Sequence, residues 1–292
     1  MRYRVTEAED GWKLLRVLRG SMGLSGSAVQ GAKWEARILL DGESAHTNVR
    51  VRAGQEVTFV EKEKAPVYAT APYALRVPVV YRDEHLLIVD KPAPLASQSS
   101  RNHPDNTLEN ALFSMLGCPE GWIYRPVNRL DKGTSGLMAV ACSAHAQYRL
   151  QQALHTPDFR RVYLAVTRGL PPEESGVIDL PIAKAPGATV RRVIAPAGEG
   201  KPSVTHYEVL ESRGGLALLR LELETGRTHQ IRVHLAALGC PVFGDFLYGE
   251  ESDRLPGRFA LHSHQLSLTH PVTGERLSFA SPLPDALRDL LR

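Results

Sequence analysis

The sequence is poor in cysteine and has no long apolar segment. Its three cysteines, Cys118, Cys142 and Cys240, are far apart in the chain, so they predict neither a disulfide framework nor a CxxC metal site. We therefore expect a reducing, cytoplasmic location. No apolar run approaches the roughly 18 residues that cross a bilayer, and the acidic N-terminus does not fit a signal peptide. These absences argue against a secreted disulfide scaffold and against a membrane-spanning segment.

The sequence also lacks a strong charge imbalance. The formal net charge is +3 over 292 residues, which is too small to indicate nucleic-acid binding by itself. Only 8 of the 35 basic residues are lysine, so arginine strongly predominates. Arginine presents a planar group that grips phosphate through paired hydrogen bonds and stacks on flat rings. Any RNA-binding surface must therefore be a local patch, and the arginine bias favours one.

The length and the distribution of periodic segments predict two domains. Residues 1–62 carry two short helical patterns followed by β-rich runs, and residues 63–77 are rich in proline with little periodicity, which is typical of an extended linker. From residue 78 onward, strand-like runs outnumber helical ones and do not alternate with them regularly. We predict a small helix-and-hairpin module at 1–62, a linker at 63–77, and an α+β body at 78–292. The sheet of this body should be mixed and mainly antiparallel, with flanking helices.

Three segments of the body combine polar residues with apolar strands: NRLDKGTSG at 128–136, RVYLAVTRG at 161–169 and TGRTHQIRVH at 225–234. These segments resemble the motifs of RluA-type pseudouridine synthases, and the strings VDKP and GDFLYG fit the same family. The resemblance covers roughly residues 78–292. It implies an isomerase that converts chosen uridines of structured ribosomal or transfer RNA into pseudouridine. It also implies that neither a cofactor nor a metal takes part.

The resemblance assigns roles to three residues of these segments. Asp131 matches the catalytic aspartate, Tyr163 the active-site tyrosine, and Arg227 the arginine that the family pairs with its aspartate. The chemistry suits these residue types. The uracil must leave the sugar, turn and rejoin through carbon five, and a carboxylate can attack or stabilise the positive charge that develops on the sugar. Whether Asp131 attacks the sugar or removes a ribose proton stays open.

Two residues of the first motif, Arg129 and Asn128, are expected to contact RNA. The target base is hidden in stacked RNA, so it must be flipped out. The resemblance implies that Arg129 fills the vacancy, since a guanidinium can stack where a base was; a phosphate contact or a salt bridge is the alternative. Asn128 stands where the family usually has histidine. Asparagine does not titrate near neutrality, so we expect a hydrogen-bonding role at this position and no acid–base role.

Residues 1–62 resemble the small alpha-L RNA-binding domain that often precedes this catalytic body. The resemblance rests on LSGSAVQGAKWEARILLDGE and on VRAGQEV. The basic residues of two predicted helices would form a positive face. The predicted RNA-contacting residues of this module are Lys13, Arg16, Arg19, Lys33 and Arg37.

Two other functions compete with this interpretation. The five histidines His229, His234, His262, His264 and His270 raise the possibility of a metallohydrolase. His229 and His234 are five apart on a predicted helix, which turns them about 140° away from each other and leaves them poorly placed to share one ion. A catalytically inactive RNA-binding protein is the second alternative, and the intact Asp131, Tyr163 and Arg227 argue against it. We also expect the protein to be a monomer.

Overall fold

The computed structural model describes residues 1–62, 69–196 and 198–292. It divides the chain into two units. The first unit is Met1–Ala65 with Ser143–Arg149, and the second is Pro66–Cys142 with Leu150–Arg292. Residues 63–68 of the predicted linker lie outside the described residues.

The first unit packs two helices against a small antiparallel sheet. Its helices are α1 (Leu14–Arg19) and α2 (Gly26–Trp34). Its strands, in the spatial order β1-β4-β2-β3, are β1 (Arg2–Arg4), β2 (Ile38–Leu40), β3 (Glu43–Ser44) and β4 (Glu56–Phe59). Leu14, Val17 and Leu18 are fully buried, because spacings of three and four residues place them on one helix face. The module thus has its own apolar core.

The second unit is built on a nine-stranded mixed sheet. The strand order is β5-β6-β7-β14-β8-β13-β12-β9, with β15 paired to β14. Among the strand pairs of the described residues, only the pairing of β7 with β14 is parallel. A separate pair joins β10 and β11. The strands are β5 (Val79–Arg82), β6 (Leu86–Lys91), β7 (Ser135–Ala141), β8 (Phe159–Arg168), β9 (Ser175–Asp179), β10 (Ile182–Lys184), β11 (Arg192–Ile194), β12 (Val204–Arg213), β13 (Leu216–Leu223), β14 (Leu261–Thr269) and β15 (Arg276–Ala280).

The remaining helices are few and short. They are α3 (Leu108–Met115), α4 (Ala144–Ala153), α5 (Gln230–Ala237) and α6 (Asp285–Arg288). The predicted α+β class with a mixed, mainly antiparallel sheet is therefore confirmed. No helix among the described residues is both long and apolar enough to cross a bilayer.

The described part of the predicted linker, residues 69–77, belongs to the second unit. Val77 is buried in the core of that unit, and Tyr73 and Leu75 pack against the same core. The alternation of apolar residues at 73, 75 and 77 explains this difference from the expected connector. Side chains two apart in an extended chain point to one side and can be buried together.

Strand β14 joins the two halves of the large sheet. It runs parallel to β7 on one side, where His262 and Ser263 lie opposite Ser135 and Gly136, and antiparallel to β8 on the other. Gly136 has a φ of 107°, and a Cβ on it would collide with the backbone of Ser263. Only glycine permits this close approach. The close packing of β7 against β14 therefore requires the glycine at the end of the TSG motif.

Candidate active site

A pocket opens at the start of β7, beside β8 and the N-terminal end of α5. Residues from all three polar motifs line it, including Arg129, Asp131, Tyr163, Arg227, His229 and Arg232. The three motifs, at 128–136, 161–169 and 225–234, are separated in the chain, and the fold brings them together. The pocket therefore combines a carboxylate, a phenol, an imidazole and several guanidinium groups.

The backbone around Asp131 is held on both sides. The Ser97 hydroxyl donates to the Leu130 carbonyl over 2.6 Å and accepts from the Leu130 amide over 3.2 Å. The Leu95 amide donates to the Lys132 carbonyl at 2.9 Å. Buried hydrogen bonds of this kind have few alternative partners, so they restrict the loop. The 95–97 segment consequently fixes the position from which Asp131 projects.

Lys91 lies beneath this segment and has no exposed surface. Its Nζ donates to the carbonyl oxygens of Leu95 and Pro92, at 2.7 and 3.1 Å. Burial lowers the pKa of Lys91 to about 7, although the nearby charge of Asp131 acts in the opposite direction. The lysine of the VDKP string is thus a buried anchor for the 92–95 turn.

Arg232 on α5 holds the Asp131 carboxylate. One of its terminal nitrogens donates to Asp131 Oδ2 at 2.9 Å, and its Nε and other terminal nitrogen grip Asp245 at 2.6 and 2.8 Å. Burial opposes the charge of Arg232, but its hydrogen bonds to Asp245 and the charges of both aspartates raise its pKa overall. Its guanidinium also lies 4.2 Å from the ring centre of Phe259. Arg232 is therefore a permanently charged group that orients Asp131.

The expected pairing of Arg227 with Asp131 is not formed. Arg227 lines the pocket, but its Nε donates to the Pro202 carbonyl at 3.1 Å. Arg232, five residues later, takes the predicted place because it lies inside α5, which is buried from Gln230 to Leu235. The sequence contained a signal for it: an arginine inside an apolar helical face needs a buried acidic partner.

Tyr163 on β8 lines the pocket and is 5% exposed. Burial raises its pKa above the ordinary value, and the charge of Asp131 raises it further, while Arg161 acts in the opposite direction. A phenol with a raised pKa stays protonated at neutral pH and is a weak proton acceptor. The environment of Tyr163 therefore favours packing against a base over removing a proton.

Arg129 and Asn128, the two residues of the first motif that were expected to contact RNA, differ sharply in exposure. Arg129 is exposed and lines the pocket. Asn128 is buried, its Oδ1 accepts from the Ala139 amide at 2.9 Å, and its Nδ2 has no partner within the described ranges. The expected RNA contact at Asn128 is thus corrected, because its side chain extends the hydrogen bonding of β7 and does not reach the pocket.

His229 is a pocket residue to which the sequence motifs assigned no role. It directly precedes α5 and has a left-handed backbone, with a φ of 59°. Its Nδ1 lies 2.8 Å from the Tyr248 hydroxyl and its Nε2 lies 3.9 Å from Asp131 Oδ2. His234, by contrast, is buried with its nitrogens hydrogen bonded to Thr205 and Leu180. The two histidines are therefore separated in environment as well as in direction.

The other three histidines of the possible metal group also have hydrogen-bond partners in the protein. His262 bonds to Ser135 and Ser281, His264 to Ser281, and His270 to Asp83. Within residues 1–62, 69–196 and 198–292, no group of three or more histidine, cysteine, aspartate or glutamate side chains is arranged to hold a metal ion. The pocket thus offers acid–base and charge chemistry from its own side chains.

The basic residues of the first unit are mostly exposed. Lys13, Arg16, Arg19 and Lys33 face solvent. Arg37 differs, because α2 ends before it and its guanidinium is tied to Glu35 and to the Val60 carbonyl at 2.8 and 2.7 Å. Arg37 therefore does not lie on the helix that carries Lys33, although both were predicted to belong to a positive helical face. Four of the five predicted residues remain available to bind phosphate.

Comparison with known proteins gives a consistent result. The family model for RNA pseudouridylate synthases matches residues 85–237, which include all three motifs. An uncharacterized RNA pseudouridine synthase of Synechocystis is 39% identical, covering 84% of this chain and 76% of that protein. Ribosomal large subunit pseudouridine synthase D of Nitrosomonas europaea is 37% identical, covering 92% and 80%. Among solved structures, human RNA pseudouridylate synthase domain containing 1 matches with a TM-score of 0.59 and 29% identity, covering 72% of this chain and 87% of that chain. The chain belongs to the RNA pseudouridylate synthase family and is an RNA-modifying isomerase of the RluA type.

Proposed function

We propose that this enzyme isomerises uridine in ribosomal large-subunit RNA and that Asp131 is its catalytic carboxylate. The observation that carries the assignment of Asp131 is its hydrogen bond to the buried Arg232, 2.9 Å away, in a pocket that is open to solvent. Arg232 is itself fixed by Asp245. A carboxylate that is oriented by a fixed cation suits a reaction in which positive charge develops on a sugar.

The isomerisation needs no oxidant, because the same atoms are present before and after it. The bond between the ribose and the uracil nitrogen breaks, the base turns, and a bond forms from the ribose to carbon five of the base. The hydrogen on carbon five then leaves as a proton, and the former glycosidic nitrogen gains one. Asp131 would either bond to the sugar or remove a ribose proton in the first step. Tyr163 would pack against the loose base while it turns.

Access to the uridine requires that the base leave the RNA stack. We propose that Arg129, exposed at the pocket, enters the vacancy and stacks between the neighbouring bases. Arg227 also lines the pocket, and its guanidinium does not contact Asp131. We therefore propose that Arg227 faces the RNA backbone. The stacking role of Arg129 depends on a planar cation, which arginine provides.

Ribosomal RNA is the proposed substrate because two relatives named for the ribosomal large subunit are each 37% identical to this chain over the aligned residues. Mapping of pseudouridine across total cellular RNA, with and without the protein, tests this proposal. We expect at least one lost position in large-subunit RNA. Loss of positions in transfer RNA alone would contradict it.

Release of tritium from RNA labelled at carbon five of uridine tests the role of Asp131. Asp131→Asn removes the negative charge with almost no change in shape, so we expect turnover to be abolished while the fold is retained. Asp253→Asn is a matched control, since Asp253 is an exposed aspartate outside the pocket. Substantial turnover by Asp131→Asn would remove this residue from the mechanism.

The first unit is proposed to bind RNA through its exposed cations. Lys13, Arg16, Arg19 and Lys33 would each neutralise a phosphate, and each such contact steepens the dependence of log affinity on log salt by roughly 0.7 to 0.9. Replacing all four with glutamine in the full chain should therefore weaken binding and make this dependence shallower. An unchanged dependence would assign the unit another role, such as docking to a protein.

The enzyme is further proposed to act as a cytoplasmic monomer. Its cysteines are unpaired in the structure, as a reducing compartment requires. Sedimentation of the purified protein tests the oligomeric state, and a stable dimer at micromolar concentration would contradict the proposal.

A further inference from the structure

His229 combines two features that its role as a helix-flanking residue does not require. It holds a left-handed backbone with a φ of 59°, a conformation that costs free energy for a residue other than glycine and that tends to persist where it serves a function. Its imidazole also lies in the pocket, beside Asp131. The backbone geometry thus directs a titratable ring at the site of reaction.

A chain of hydrogen bonds determines which nitrogen of this ring carries the proton. The Tyr248 oxygen accepts from the Arg192 amide at 2.8 Å, which leaves the tyrosine hydrogen free to be donated. The neighbouring acceptor is His229 Nδ1, also at 2.8 Å. This arrangement favours the tautomer in which Nδ1 is unprotonated and Nε2 carries the hydrogen. Burial lowers the pKa of His229, although the charge of Asp131 acts in the opposite direction, so the ring is neutral at physiological pH.

The Nε2–H group and the Asp131 carboxylate face each other across a gap. Nε2 and Oδ2 are 3.9 Å apart, which is too long for a hydrogen bond between them. An oxygen atom at hydrogen-bonding distance from both would form an Nε2–oxygen–Oδ2 angle of roughly 90°. Such an oxygen would have to accept from Nε2–H and donate to the carboxylate. A hydroxyl group meets both requirements, whereas a carbonyl or an ether oxygen meets only the first.

We propose that Asp131 and His229 together bind the 2′-hydroxyl of the target uridine. This inference rests on the proposed role of Asp131 at the ribose. In a nucleotide inside an RNA chain, the 2′-hydroxyl is the only free hydroxyl of the sugar, and it is attached next to the carbon whose bond to the base breaks. It both donates and accepts, and it distinguishes RNA from DNA. Tyr248 is then a positioning residue that acts through His229.

Two variants of His229 separate the donor from the rest of the side chain. The amide nitrogen of glutamine can reach the place of Nε2, whereas asparagine is shorter and offers a group only near the place of Nδ1. Asparagine also tolerates the left-handed backbone. His229→Asn should therefore lose the contact with the 2′-hydroxyl, and His229→Gln should retain part of it.

The experiment compares two RNAs that differ in a single oxygen. One is a synthetic stem-loop of ribosomal RNA that contains a uridine identified by mapping, labelled with tritium at carbon five. The other carries 2′-deoxyuridine at the same position. The quantity measured is the ratio of kcat/KM for the two RNAs, in the wild type, His229→Asn and His229→Gln. The 2′-oxygen also affects the bond breaking itself, so the change in the ratio between variants isolates the contribution of His229.

We expect the wild type to prefer the ribose form, and we expect this preference to fall roughly tenfold in His229→Asn, as loss of one hydrogen bond to a neutral hydroxyl predicts. His229→Gln should lie between the two. Equal losses on both RNAs would show that His229 is only structural and would overturn the proposal. No turnover of the ribose form by the wild type would instead overturn the proposed function.

Tyr248→Phe provides a second route if His229→Asn does not fold, as judged by circular dichroism. This substitution removes the hydroxyl that sets the proton on Nε2 and leaves the ring of His229 in place. The preference for the ribose form should then fall, by less than in His229→Asn. A preference identical to that of the wild type would overturn the proposal.

Discussion

Replacing Arg232 with lysine is the sharpest test of how the Asp131 carboxylate is held. Arg232 forms three charge-assisted hydrogen bonds, one to Asp131 and two to the fully buried Asp245. Lysine keeps the positive charge but cannot bind two carboxylates with fixed, planar geometry. If it stays with Asp245, which is the more deeply buried partner, Asp131 loses its orienting contact.

The size of the expected effect follows from these contacts. A hydrogen bond between charged groups contributes about 1.5 to 3 kcal/mol, so loss of the Asp131 contact should lower kcat roughly 10- to 150-fold. A smaller loss of stability should accompany it, about 1 to 3 kcal/mol, because Asp245 keeps a charged partner with poorer geometry. Tritium release under saturating RNA measures the first quantity, and urea unfolding measures the second.

Arg227→Lys is the matched control. Arg227 lines the same pocket without contacting Asp131, and lysine preserves its charge for any contact with phosphate. We expect a much smaller loss of kcat than in Arg232→Lys. If Arg227→Lys lost as much activity, or if Arg232→Lys lost none, the assignment of the grip on Asp131 to Arg232 would be refuted.

Three further predictions concern the surroundings of Asp131. Arg129→Ala should raise the free-energy barrier of the reaction by a few kcal/mol when the uridine is stacked in folded RNA, and by less with short unstructured RNA. Equal increases on both RNAs would indicate a phosphate contact. Ser97→Ala should lower kcat more than it raises KM and reduce the free energy of unfolding by about 1 to 3 kcal/mol, since two buried hydrogen bonds to Leu130 are lost. Lys91 has a pKa of about 7 when folded and an ordinary pKa near 10.4 when unfolded. The unfolded chain therefore binds more protons above pH 7, and the free energy of unfolding should rise from pH 7 to 9 by up to ~1.4 kcal/mol per pH unit relative to Lys91→Met. Parallel pH profiles of the two proteins would show that Lys91 stays charged in the fold.

The sequence predicted well those features that depend on local periodicity. The apolar run Leu216–Leu223 forms β13, and the helical spacing of apolar residues from Leu108 to Met115 gives α3. Apolar alternation and helical spacing determine these elements before any tertiary contact forms. Asp131 and Tyr163 fall in one pocket, as the motifs indicated.

The features that could not be predicted depend on contacts between distant segments. Arg227 and Arg232 stand five apart in one motif, and only the start of α5 at Gln230 decides which of them is turned toward Asp131. Asn128 is polar and adjacent to Arg129, yet the register of β7 buries it against Ala139. His229 gains its significance only when Tyr248 and Arg192 meet it in space. No spacing in the sequence contains that information.

The central place of β14 has a consequence for how the enzyme becomes active during its synthesis. Asp131 precedes β7 and Tyr163 lies in β8, and these two strands pair with β14 and not with each other. The ribosome makes β14 only after both of them, at residues 261–269. Until that strand emerges, none of the described strands can lie between β7 and β8, so the sheet cannot hold the carboxylate and the tyrosine in one pocket. We therefore expect a nascent chain to keep these two side chains unassembled until β14 has been made.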